Sequence, residues 1–99
     1  MDKFSTIRSL ISATFNQDWA SCFDDWEACL ADELRRGSPE WKSNLVEEIR
    51  GMVDAMDEDG IGAFFEACKA GIYPPHDMGL SCCTWLLQVA ELTSLSLDA

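Results

Sequence analysis

Residues whose types and spacing could do chemistry gather first between Ala55 and Glu66. With Gly60 at the sixth position of a calcium loop, Asp57, Asp59 and Glu66 fall on the third, fifth and twelfth, positions that supply oxygen ligands in an EF-hand. The first position, however, is Ala55, Asp54 stands one residue out of register, and Gly62 occupies the eighth position, where an apolar side chain packs the loop. Without its first carboxylate the loop loses a central ligand. An acidic connection between helices accounts for the same residues; a degraded EF-hand-like calcium binder is the alternative. Zinc is served no better. Cys82 and Cys83 are adjacent and would leave a helix on different faces, and His76 lies six residues upstream without a second ligand pair. Neither a metal nor a cofactor is expected.

Catalysis needs a base, a nucleophile or an oxyanion site gathered in a pocket, and one histidine without a glycine-rich phosphate loop offers little. Asp24 with Asp25 and Glu47 with Glu48 are sequence neighbours, which on a helix point in different directions. They suit a solvated face better than a hydrolytic dyad, so the chain is expected not to be an enzyme.

The strongest signal is charge. Eighteen Asp and Glu against seven Lys and Arg leave a formal net charge of -11, beyond the magnitude of ~2 to 8 that serves solubility in a small domain. Such a field disfavours direct binding to nucleic acid or anionic lipid and favours a basic partner. The acids most exposed to that purpose sit at predicted helix ends and loops: Asp24, Asp25 and Glu27; Asp57, Glu58 and Asp59; and Asp77 beside His76. These are the candidate contact residues. The competing account is that they cap helices and keep the chain dissolved.

The elements that must position them follow from spacing. Apolar positions recur at helical intervals and strand-like alternation is missing, so the chain reads as all-α, a compact bundle of about five short helices in one domain over residues 1–99. A first helix from about Lys3 to Phe15 presents Phe4, Ile7, Leu10, Ile11 and Phe15, and ends before a connection carrying Trp19. A second begins at Asp24 or Asp25, buries Phe23, Trp26, Leu30 and Leu34, and finishes on Arg35, Arg36 and Gly37. Ser38 followed by Pro39 starts a third, with Trp41, Leu45, Ile49, Met52, Val53 and Met56 inward and Lys42, Glu47, Arg50 and Asp54 toward solvent. The fourth, opened by the Asp57 to Gly60 turn, bears Ile61, Phe64, Phe65 and Cys68 and stops at Gly71. After a Tyr73 to Gly79 loop, Ser81 caps the fifth, whose inner face is Trp85, Leu86, Val89, Leu92 and Leu95.

Five cysteines without a paired spacing suit buried free thiols, and no run is apolar enough for a membrane span or organised as a signal peptide. A cytoplasmic location is expected.

The order of landmarks carries more than periodicity. Asn16, Gln17, Asp18 and Trp19 close the first helix, and an acidic stretch from Phe23 to Glu27 leads into the second. Leu45, Glu48 and Ile49 mark the long middle helix, a turn precedes Ile61 to Phe65, Tyr73 and Pro74 form a loop, and Trp85 and Leu86 lie on the last helix. Over about residues 4–95 this resembles the immunity proteins of contact-dependent growth inhibition, with Gln17, Asp18 and Trp19 the most specific piece. Asn16 replaces the histidine familiar there, and Gly79, Leu80 and Ser81 lack the aromatic of the usual approach to the last helix. The resemblance implies a small cytoplasmic helical protein that binds the C-terminal toxin domain, often a nuclease, of its own delivered effector, and it implies no catalytic residues. Gln17, Asp18 and Trp19 are then expected to be structural, closing helix ends and anchoring the core. The partner expected is that toxin domain, bound by a monomer; an acidic adaptor for another basic protein is the alternative function.

Overall fold

A computed structural model describes residues 3–98, and among these every regular element is a helix. α1 spans Ser5–Ser9 and runs straight into a π-helical stretch, Leu10–Thr14. α2 is a single turn, Trp19–Cys22; α3 covers Trp26–Arg36, α4 Pro39–Ala55 and α5 Glu58–Ala67. α6 is another single turn, Pro74–Asp77, and α7 covers Cys82–Asp98. The expected all-α bundle is present, with five substantial helical rods once α1 and its π-helical continuation are taken together. Its radius of gyration, 12.4 Å, is that of a compact chain of this length, about 13 Å for 100 residues.

Local rules set most of the boundaries. Asp25 accepts a hydrogen bond from the Ala28 N–H at 2.8 Å, Ser38 from Trp41 at 3.1 Å and Asp57 from Gly60 at 2.8 Å, so α3, α4 and α5 each start on a side-chain cap. Ser81 does the same for α7 through the Thr84 N–H at 3.0 Å. Arg35 and Arg36 stand in the last turn of α3, where positive charge suits the carbonyl end.

The core forms around α4 and α7, the most extensively packed helix pair. Trp85 is fully buried and meets Phe15, Trp26 and Phe65 edge to face, with centroids 5.4 to 6.0 Å apart. One ring therefore joins the first, third, fifth and seventh helices. Lys42, expected in solvent, is half-buried and donates from Nζ to the Ser96 hydroxyl at 2.8 Å, tying α4 to α7.

The far end of α7 departs from expectation. Leu95 is 60 % exposed and Leu92 36 % exposed. The buried stripe instead runs Cys82, Trp85, Leu86, Val89, Ala90 and Thr93, because steps of three and four from Cys82 return to Thr93 after three turns and leave Leu95 outside. Thr93 is tolerated there because its hydroxyl donates to the Val89 carbonyl at 2.7 Å.

A second departure concerns Gly71. α5 ends at Ala67, and the chain turns through Lys69, which takes a left-handed backbone with φ of 54°. Gly71 serves a different need. A Cβ there would lie 2.2 Å from the Phe15 carbonyl oxygen and the Asn16 carbonyl carbon, so only glycine admits the approach. The π-helical turn makes this approach useful: the Phe15 N–H donates to the Leu10 carbonyl, and the Ile11 carbonyl accepts from the Gly71 N–H at 3.0 Å.

Candidate functional site

The predicted contact acids divide by what their carboxylates already hold. Asp25 and Asp57 are the caps of α3 and α5. Glu58 reaches across to α7, where its two oxygens accept from the Cys82 and Cys83 N–H groups at 2.8 and 2.9 Å. A carboxylate at the open N–H end of a helix satisfies two donors and the helix dipole together. Asp77 accepts from the Tyr73 N–H at 2.8 Å and lies 3.0 Å from Nδ1 of the exposed His76. Asp24, Glu27 and Asp59 are exposed, with no side-chain hydrogen bond or ion pair among the described residues.

Sequence reading missed a second long-range cap. Glu48 on α4 accepts from the Thr6 and Ile7 N–H groups at 2.8 and 3.1 Å, closing the start of α1. Glu48 and Glu58 thus stitch two middle helices to the first and last. The sequence hints are its place beside Leu45 and Ile49 among the landmarks of the resemblance and on the partly buried flank of an amphipathic helix, and neither carries information about its distant partner.

At the Gln17, Asp18 and Trp19 signature the work falls mainly on the indole and on Asn16. Trp19 is half-buried, stacks edge to face on Phe15 at 5.6 Å and donates from Nε1 to the Gly71 carbonyl at 3.1 Å. Asn16 accepts from the Asp18 N–H at 2.8 Å and donates to the Ala13 carbonyl at 3.1 Å. Gln17 and Asp18 are exposed, and the Asp18 carboxylate makes no cap bond to α2.

Two of the three acidic groups come together. A groove of about 220 Å³ is lined by Glu58, Asp59, Gly62, Ala63, Glu66 and Tyr73. Tyr73 in turn holds Asp77 and its neighbour His76. A second groove, about 450 Å³, shares Tyr73 and Glu66 with the first and is also lined by Lys69. The Asp24, Asp25 and Glu27 group lines neither groove. Arginine and carboxylate pairs instead gather on α3, where Asp32 meets Arg35 at 2.6 Å and Arg36 at 3.0 Å, and Glu33 meets Arg36 at 2.8 Å. The Arg35 hydrogen bond holds the Asp32 carboxyl below its ordinary range.

The calcium-like spacing does not make a loop, since α5 begins at Glu58 and Asp57 caps it. Among the described residues no three His, Cys, Asp or Glu side chains converge as metal ligands. No helix among them is long and apolar enough to cross a membrane. The cysteines are not uniformly buried: Cys29 and Cys82 are, Cys68 and Cys83 are intermediate, and Cys22 is exposed.

No curated protein and no solved structure matches the chain. A family model described as CdiI immunity protein matches residues 3–93, and with nearly the whole chain covered this protein belongs to that family of toxin-neutralising immunity proteins.

Proposed function

We propose that the protein neutralises a nuclease toxin, the C-terminal domain of a delivered effector, by stoichiometric steric occlusion that acidic residues steer. The observation that carries this is the net charge of -11, with Asp24, Glu27 and Asp59 exposed and engaged by no other side chain. A nuclease must hold phosphates, so the rim of its cleft is electropositive, and an acidic protein complements it. Complementary fields raise the encounter rate and reject wrong partners, which matters when a toxin must be caught before it acts. Asp25, Asp57, Glu58 and Asp77, with His76 beside Asp77, belong to the same acidic surface. Inhibition without turnover follows, performed by a monomer in the cytoplasm.

The capping pattern decides which residues test it. Neutralising Asp57 or Glu58 would loosen helices as well as change charge, so the variant of choice is Asp24→Asn, Glu27→Gln and Asp59→Asn together. With the cognate toxin domain, this triple should slow association about tenfold at low salt and flatten its salt dependence, leaving dissociation nearly unchanged. An unchanged association rate and salt slope would remove electrostatic steering. Coexpression then separates immunity from a general acidic adaptor: the protein should rescue cells from this toxin and not from unrelated ones.

A further inference from the structure

We infer that Tyr73 and Glu66 form a seat for one arginine or lysine side chain projecting from the toxin, an inference that rests on the toxin-neutralising reading above and assigns it a specific contact. The two grooves on the outer side of α5 meet at these two residues, and only Tyr73 and Glu66 line both. Tyr73 is 43 % exposed, and its backbone is anchored. Its backbone N–H donates to Asp77 at 2.8 Å, and its hydroxyl lies 3.5 Å from the position a Cβ would take at Gly62, an ordinary contact distance that places the phenol end against α5.

A tyrosine has only two side-chain torsions to lose on binding, and it is among the residue types that dominate interface energetics. Its face attracts a cation. Glu66 is exposed and has no side-chain hydrogen bond or ion pair among the described residues, whereas Glu58 is occupied by the start of α7. Glu66 is therefore available to accept a charge-assisted pair from a guanidinium or ammonium group lying on the ring. Asp59 and Glu58 in the smaller groove add negative charge, and Lys69 lines the larger groove together with Glu66 and Tyr73. An acidic, aromatic seat suits a basic side chain and repels a carboxylate or phosphate.

The test compares wild type, Tyr73→Ala, Tyr73→Phe and Glu66→Gln for binding to the purified cognate toxin domain. Tyr73→Ala should weaken the complex about thirtyfold, mainly through faster dissociation, while Tyr73→Phe stays within about threefold because the ring face remains. Glu66→Gln should weaken it about tenfold and lower its salt dependence. Circular dichroism checks the fold, and Glu66→Gln, a surface change, carries the test if Tyr73→Ala fails to fold. In parallel, titrating wild type with N-acetyl-arginine amide should shift the NMR signals of Tyr73 and Glu66 before those of Asp24 and Glu27. Wild-type affinity in both Tyr73→Ala and Glu66→Gln would overturn the seat and leave toxin neutralisation standing. A wild-type protein that neither binds the toxin nor protects against it would overturn both.

Discussion

Burial holds the Cys29 and Cys82 thiols protonated far above their ordinary range. Desolvation raises Cys29 to about 11, helped by Asp32 and Glu33, and raises Cys82 to about 12, helped by the Glu58 carboxylate that caps the same helix. In the unfolded chain both would ionise near their ordinary value of 9.0. The folded pKa is the higher one, so this contribution to stability is fully present below about pH 9 and is lost as pH rises toward the folded values. Urea unfolding at pH 8 and pH 10 should show a lower midpoint at pH 10, with part of the drop removed in Cys82→Ala. Exposed Cys22 should react with a thiol reagent in the native protein, whereas Cys29 and Cys82 should react only after unfolding.

At the scale of the element, the long-range caps and two glycines decide which helices stay docked. Glu48→Gln and Glu58→Gln should each cost about 1 to 2 kcal/mol, since a charged acceptor for two helix N–H groups becomes a neutral one. Chemical denaturation reads the loss directly, and hydrogen exchange should place it in the first turn of α1 for Glu48→Gln and of α7 for Glu58→Gln. Gly51 and Gly71 should behave in opposite ways. Gly51 lies inside α4 with nothing within 4 Å of an added Cβ, so Gly51→Ala should stabilise the protein by up to about 1 kcal/mol. Gly71→Ala drives a methyl group into the Phe15 and Asn16 backbone and should cost about 3 kcal/mol or more. Thermal melts of the two variants that shifted in the same direction would contradict this assignment.

For the whole molecule, the excess of acid has two consequences that salt separates. Self-repulsion at a net charge of -11 opposes the compact state, and screening relieves it. The same screening weakens steering toward an electropositive partner. Raising ionic strength from about 0.02 M to about 0.3 M should therefore raise the melting temperature of the free protein while slowing its association with the toxin. A toxin association rate insensitive to salt would leave the charge with a solubility role only.

Helix class, order and most boundaries were legible in the chain because periodicity, Asp25, Ser38, Asp57 and Ser81 caps and the Arg35 and Arg36 end act within a few residues of themselves. The landmark order from Asn16 to Leu86 likewise sufficed to point to the family that the match over residues 3–93 shows. Tertiary structure decided what depends on distant partners. It set Glu48 and Glu58 on the ends of other helices, gave Gly71 its close approach, turned Thr93 inward in place of Leu95, and brought Tyr73 beside Glu66. A local pattern specifies which face a residue takes on its own helix. Which backbone or side chain meets that face is fixed only when the helices pack, because the partner lies tens of residues away and its geometry is set by the shared core around Trp85.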